Sequence, residues 1–267
     1  MKPNNLCTLL TKDVLEDFLI LKKSLELFNP DITLNVITDK LSEPFLKDDG
    51  LKINIIETLP ELDYHSIKTR GPAFTNLVLK KPYLMKKCLE LHGSAFFVDA
   101  DIIFLNELSM SDDHQTYFSQ HHIHPHQEKI YGRYNAGYVF TKELGFGDWW
   151  ENTTKNKSKF FEQEGMIHGE KDLDLGKFSM NHNFGWWRLF QTDDVDRKNK
   201  FSVGDTIYYD KNPLISIHTH ITKSDFDVNA AEFNFFIKNL MGKSKDKRHR
   251  SLLEFILNIN DYIKNKI

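Results

Sequence analysis

Two carboxylates separated by one residue, Asp99 and Asp101, close the apolar run Phe96-Phe97-Val98 and lead into Ile102-Ile103-Phe104. A run of this kind without turn residues reads as a strand buried on both faces. In extended chain, residues two apart leave the same face, so both acids would project together at the strand's end. Anionic oxygens at the lip of a buried strand are costly unless a cation or hydrogen-bond donors satisfy them. Hard divalent ions such as Mn²⁺ or Mg²⁺ suit such oxygens and keep positions open for phosphate. The same pair could also simply open a loop or cap a helix. A late strand from Leu214 ends His218-Thr219-His220.

Positioning these groups requires a scaffold, and the order of elements supplies one. Leu6 to Leu10 reads as a short strand, Thr11 as a helix cap, and Val14, Phe18, Leu21, Leu25 and Phe28 as one helical stripe ended by Pro30. Thr33 to Thr38 is a second strand ending at Asp39, and Leu51, Ile53 and Ile55 mark a third. Strand–helix–strand order predicts parallel pairing and a doubly wound, mostly parallel α/β sheet with flanking helices. Ligands on such sheets sit outside the carboxyl ends of the strands. Thr11, Asp39, Asp99 and Asp101 all fall there.

Further along, residues 61–75 read as loop with Arg70-Gly71-Pro72, followed by a helix to about His92 with Gly93 behind it. His121, His122, His124 and His126 fall in a polar loop. Tyr134 to Thr141 is a strand in which Gly137 lets backbone approach a ligand closely. Residues 145–164 read as helix, and Glu170-Lys171-Asp172 opens another. Asn183, Trp186 and Trp187 lie in an aromatic, amide-rich stretch suited to sugar contacts or to a packed turn. The chain ends in an amphipathic helix carrying Leu252, Ile256, Ile259 and Ile263 behind the basic run Lys243 to Arg250, which could touch anionic lipid.

Bulk properties narrow the function classes. The chain has 267 residues, with 40% hydrophobic and 27% charged content, ample for a sizeable core. A formal charge of -3 gives no reason to expect a nucleic-acid partner. Cys7 and Cys88 are the only cysteines, and both sit in apolar patterns. Buried thiols and the lack of an apolar leader after Met1 lead us to expect a cytoplasmic protein. No stretch approaches the length of a membrane span. We read residues 1–225 as one domain and 226–267 as a helical tail packed on it or extending from it.

The order of these motifs resembles the GT-A fold glycosyltransferases, especially the retaining family 8 (glycogenin-like) type, over roughly residues 6 to 223. The resemblance runs from the Leu6–Thr11 strand to Asp99-Ala100-Asp101, Tyr134-Asn135-Ala136-Gly137, the acids of Glu170 to Asp172, and His218 with Lys223 behind it. It implies Asp99, Asp101 and His218 as ligands of Mn²⁺ or Mg²⁺, with His220 as the competing ligand. It implies Thr8, Leu10, Thr11, Asp39 and Lys223 as nucleotide contacts, and Lys81, Asp99, Asn135 and Gly137 as donor-sugar contacts. Asp172, or else Glu170, would be the catalytic acid, and Asn183, Trp186 and Trp187 would face the acceptor. The family's usual Asp-Gln pair is replaced here by Glu170-Lys171-Asp172, and Lys223 is one residue early without the following Pro-Trp. The activity implied is transfer of a sugar from a nucleotide-diphosphate donor, a UDP-sugar foremost, to a glycan or other hydroxyl-bearing acceptor, with retention. Two other readings stand beside it. A haloacid-dehalogenase-like phosphohydrolase also carries Asp-x-Asp after an apolar strand, though normally at the start of the chain. A sugar-nucleotide-binding protein without turnover would fit the altered acidic cluster.

Overall fold

A computed structural model describes residues 1–47, 50–60, 62, 66, 67, 69, 71–223 and 227–266. Its strands are β1 (Asn5–Leu10), β2 (Thr33–Asp39), β3 (Ile53–Leu59), β4 (Ala95–Val98), β5 (Ile102–Phe104), β6 (Thr116–Gln120), β7 (Tyr134–Thr141), β8 (Leu175–Lys177), β9 (Phe184–Gly185), β10 (Phe201–Val203), β11 (Ile207–Tyr209), β12 (Asn212–Pro213) and β13 (Ser216–His218). The helices are α1 (Leu15–Phe28), α2 (Pro72–Val78), α3 (Lys80–His92), α4 (Pro125–Tyr131), α5 (Phe146–Asn156), α6 (Gly169–Asp172), α7 (Trp187–Phe190), α8 (Val228–Lys243), α9 (Lys247–Leu257) and α10 (Ile259–Lys264).

Seven strands form the main sheet in the order β3-β2-β1-β4-β7-β6-β8. β3, β2, β1 and β4 run parallel, β7 is antiparallel to β4 and β6, and β8 is parallel to β6. This is the mixed, parallel-dominated α/β architecture read from the sequence. Period-two alternation divides the sheet's side chains between two layers. Leu6 and Leu10 on β1 and Phe96 and Val98 on β4 join the core beneath α1, while Cys7 and Phe97 join the core beneath α3 and α5. The chain winds both ways from β1, so the carboxyl ends of β1 and β4 form the topological switch point where such sheets leave a crevice.

Several local expectations change. Thr11 makes no side-chain cap, and a short 3₁₀ turn at Lys12–Val14 precedes α1. Asp39 serves that turn instead, accepting from the Lys12 amide at 2.8 Å and the Ser42 amide at 2.7 Å. The helix expected at 145–164 ends at Asn156, and Phe161 takes a positive φ of 46°. Helix α2 already begins at Pro72, and of the loop read at 61–75, residues 61, 63–65, 68 and 70 lie outside the described set. Gly93 closes α3 with φ of 72°, the left-handed conformation that glycine adopts without penalty.

The C-terminal helices belong to the same core. Phe233, Ile237, Leu240 and Met241 of α8, Leu252 and Ile256 of α9 and Ile259 of α10 pack with the α1 layer. His249 of α9 is fully buried and lies 2.7 Å from the Leu105 carbonyl through Nε2. The boundary placed at 225/226 falls among residues outside the described set. No described helix is long and apolar enough to cross a membrane.

Candidate metal centre and donor cleft

The two aspartates do not sit on extended chain. β4 stops at Val98, residues 99–101 form a turn closed by Ile102 N–H donating to Asp99 O at 3.1 Å, and β5 leaves in another direction. β5 pairs with β13 in a small sheet of order β5-β13-β9, with His218 opposite Ile102. Thr219 N–H then donates to Asp101 O at 3.1 Å, which ties the end of β13 to the turn. The carboxylates therefore converge through a turn and a strand change rather than through strand alternation.

One ligand atom each of Asp99, Asp101 and His218 lies within 4.8 Å of the others. No other such cluster of three occurs among the described residues. His218 Nε2 is 3.1 Å from Asp101 Oδ1. Burial opposes the charge of Asp101, yet His218 beside it and His220 beyond hold its carboxyl well below the usual range. His220 is occupied differently: its Nδ1 lies 2.8 Å from Oδ2 of the buried Asp17, and its Nε2 stands 3.7 Å from Asp101. Lys223 Nζ is 3.6 Å from the same Asp17 oxygen.

Gly137 shapes the floor. Its carbonyl accepts from Asp99 N–H at 2.9 Å, and a Cβ added there would overlap Asp99 Oδ2 and stand 2.9 Å from His218 Cε1. A bulge where β6 passes from Phe118 to Ser119 skips β7 from Val139 to Asn135, so the segment around Gly137 bows beside the acids. Bulges re-aim side chains in this way next to functional sites.

A cavity of about 260 Å³ opens at the switch point between β1 and β4. Leu9 of β1 and Thr11 just beyond its end line it on one side, Phe74, Leu77 and Val78 from α2, and Lys81, Asp99, Asp101 and Glu162 form its polar side. Lys81 Nζ lies 2.9 Å from Asp99 Oδ1 and 2.7 Å from Glu162 Oε1. Burial opposes the ammonium's charge, but the two carboxylates hold its pKa above the ordinary lysine range. Glu162 in turn is held by the fully buried Trp150, whose indole N–H donates to the Glu162 carbonyl at 3.0 Å. A second cavity of about 200 Å³ lies on the other side of Asp101, lined by Trp186, Trp187, His218, His220 and Lys223. A larger one, about 380 Å³, lies apart around Arg197 and Lys200. Its cations are already paired with Asp194, at 3.4 and 2.8 Å.

Among the residues named from sequence, Thr11, Lys81, Asp99, Asp101, Gly137, His218, Lys223, Trp186 and Trp187 therefore gather around this cleft. Thr8 and Leu10 do not, because they leave the opposite face of β1, where both are fully buried. Leu9 takes the cavity position. Asp39 is committed to the Lys12 and Ser42 amides. Glu170 and Asp172 stand outside both cavities. Glu170 accepts from Arg133 at 2.8 Å and Tyr134 at 2.7 Å, and Asp172 accepts from Trp149 at 3.0 Å with Lys157 at 3.8 Å. Asn135 and Asn183 sit behind His218, hydrogen-bonded to one another at 3.2 Å.

Several residues in and around the site escaped the sequence reading. Asp17 and Ser119 carry no local signal, since one lies on a helix stripe and the other on a strand. Arg188 is fully buried and donates to Met180 O, His182 O, Ser119 Oγ and Gln120 O, bracing the loop that presents Asn183. Burial pulls its pKa down to about 9. Glu162, which lines the cleft, is followed directly by Gln163, an acid–glutamine step that the sequence displays eight residues before Glu170.

Oxygen, oxygen and imidazole donors around a floor without a side chain fit a hard or borderline divalent ion. Asp99, Asp101 and His218 would hold it. No family model matches the chain, and no curated protein sequence is similar to it. Solved structures are. The galactosyltransferase LgtC, in complex with donor and acceptor sugar analogues, aligns with a TM-score of 0.53 at 15% identity, covering 90% of this chain and 96% of that one. The bifunctional glycosyltransferase WbbM aligns with a TM-score of 0.53 at 10% identity over 95% of this chain. A weaker likeness, with a TM-score of 0.45 at 10% identity over 70% of this chain, is to the glycosyltransferase GlyE of Streptococcus pneumoniae. This chain spans 51% of WbbM and 47% of GlyE, about half the length of each. Sheet order, switch-point cleft and structural likeness together give one conclusion: the chain has the GT-A glycosyltransferase fold.

Proposed function

We propose that this protein is a divalent-metal-dependent glycosyltransferase that moves a sugar from a nucleotide-diphosphate donor to a hydroxyl-bearing acceptor. The observation that carries this reading is the Asp99–Asp101–His218 cluster at the mouth of a half-apolar cleft at the switch point. Leu9, Phe74, Leu77 and Val78 offer an apolar wall for a base, and Thr11 a hydroxyl beside it. A bound Mn²⁺ or Mg²⁺ would supply Lewis-acid neutralisation of the leaving diphosphate.

This chain's own residues do the rest of the work. Lys223 and His220, at the rim beside Asp101, would offer a cation and an imidazole donor to the phosphate oxygens of a bound donor. Lys81 holds Asp99 and Glu162 in fixed positions along the cleft. Glu162 is the carboxylate we assign to the developing positive charge on the sugar ring, with Gln163 beside it, in the place the sequence reading gave to Glu170 or Asp172. Trp186 and Trp187 flank the second cavity, a suitable wall for an acceptor sugar. Retention and a UDP donor follow from the family resemblance alone and belong to the same proposal.

The test is a thermal-shift panel of UDP-, GDP- and ADP-sugars with and without Mn²⁺, followed by radiolabelled transfer with any donor that binds. The reading requires a metal-dependent stabilisation by at least one nucleotide sugar. Absence of any such shift across the panel removes it. Binding without transfer to water or any tested acceptor would favour a sugar-nucleotide-binding protein.

A further inference from the structure

His218 is joined to the backbone behind it by a hydrogen-bond chain whose polarity is set at every link. The chain starts at the Gly132 carbonyl, which can only accept, 2.9 Å from His121 Nδ1. His121 is buried, and that burial pulls its pKa down to about 4, so the ring is neutral and its Nε2 is bare. Asn135 Nδ2 donates to that nitrogen at 3.3 Å. The Asn135 amide is fixed independently at its other end, where Oδ1 accepts from the Gly137 N–H at 3.0 Å. The same Oδ1 accepts from Asn183 Nδ2 at 3.2 Å, and Asn183 Nδ2 also donates to Ser119 Oγ at 2.9 Å. With both its N–H groups used, Asn183 has only its carbonyl to turn toward His218 Nδ1, 2.9 Å away. Nδ1 must therefore carry a proton.

We propose that Asn183 and Asn135, backed by His121, are positioning residues that lock His218 with Nδ1 protonated and turn Nε2 to the metal centre. A metal-bound imidazole commonly donates its other N–H to an oxygen, which fixes ring and tautomer. Here the chain reaches three side chains deep, and it reassigns Asn135. Three of that amide's four hydrogen-bonding positions are taken inside the protein, so its main task is orientation rather than contact with the donor sugar. The backbone supports the assignment. Asn183 is fully buried with φ of 51°, a left-handed conformation that asparagine tolerates better than other non-glycine residues. Arg188 braces the preceding loop through the Met180 and His182 carbonyls and shares Ser119 Oγ. The effect on metal affinity rests on the function proposed above; the tautomer does not.

The Nδ1 proton is read by two-bond ¹H–¹⁵N spectra of ¹⁵N-histidine-labelled full-length protein, first without metal and then with Mg²⁺. The His218 signals are assigned by their loss in His218→Gln. A protonated Nδ1 is expected in both states; without metal Nε2 faces the Asp101 carboxylate at 3.1 Å and is expected to carry a proton as well, which a bound ion displaces. A bare Nδ1, or rapid exchange of one proton between the two nitrogens, overturns the proposal whether or not the protein binds metal. In Asn183→Ala the Nε2–H form should appear, and Mn²⁺ affinity measured by calorimetry should fall about 10–100-fold. Asn183→Asp should restore the Nδ1–H signature, because a carboxylate still accepts from it. An Asn183→Ala protein with unchanged His218 signals refutes the role of the amide. If that variant does not fold, the wild-type spectrum alone still decides. A correct tautomer in a protein that binds no divalent ion would leave the lock standing and sink the metal-dependent function instead.

Discussion

Gly137 and Asp99 share one volume: Gly137 O accepts the Asp99 N–H at 2.9 Å, and a methyl group on Gly137 would overlap the carboxylate. Side chain and backbone meet here because β4 ends one residue before Asp99 while β7 bows toward it. Gly137→Ala should therefore displace the Asp99 carboxylate or the His218 ring, the nearest groups to the added methyl. Overpacking of a tight site costs about 1–3 kcal/mol. Calorimetry should show at least a tenfold loss of Mn²⁺ affinity with a lowered melting temperature. Unchanged metal affinity would mean that Asp99 does not bind through the face turned to Gly137.

The acid of the reaction can be located by substitution. Glu162→Gln should reduce turnover at least a hundredfold, about 2.7 kcal/mol of transition-state stabilisation, while the donor still binds. Asp172→Asn and Glu170→Gln remove groups engaged with Trp149 and with Arg133 and Tyr134, outside the cleft. Their turnover should stay within about twofold, because exposed ion pairs and caps contribute about 1 kcal/mol or less and only to stability. Steady-state kinetics that reversed this order would return the role to the Glu170–Asp172 turn.

The two histidines of β13 and its end should separate in the same way. His218→Gln is expected to lose metal binding, and Asp101→Asn likewise. His220→Gln should keep the metal, since its Nδ1 is held by Asp17 at 2.8 Å, and should instead weaken donor binding through its diphosphate. Manganese titration followed by electron paramagnetic resonance distinguishes the cases. Retained metal in His218→Gln with loss in His220→Gln would exchange the assignments.

Stability should fall in mild acid. Burial lowers the pKa of His182 to about 3 and that of His121 to about 4, against 6.5 for an ordinary imidazole. Below pH 6.5 the unfolded chain binds protons at these rings and the folded chain does not, so unfolding is favoured as pH drops toward the folded values. Each ring contributes a slope of about 1.4 kcal/mol per pH unit in that window, and nothing above it. Urea midpoints between pH 7.5 and 5 should decline accordingly, and His182→Gln should flatten the slope by one ring's share. An identical slope in that variant would mean His182 takes up its proton in the folded state.

What the sequence by itself determined is what depends on local pattern. Apolar runs and their order determined a parallel-dominated sheet with helices on both faces, because strand pairing and crossover handedness leave few alternatives. The carboxylates at Asp99 and Asp101 were legible because acids at the end of a buried run are costly without a partner, whereas His218 was named only through the family resemblance. Tertiary structure alone decided the remainder. The alternation of β1 put Leu9, and not Thr8 or Leu10, into the cleft, a phase that depends on which layer covers which face. Asp17 and Glu162 lie far in sequence from the residues they hold, His220 and Lys81 respectively, so no spacing rule could join them. Glu162 reaches the cleft because the helix breaks after Asn156 and Trp150 anchors its backbone, neither of which a local pattern shows. The Gly132–His121–Asn135–Asn183–His218 chain joins four segments of backbone, and its direction follows only when donors and acceptors are counted in three dimensions.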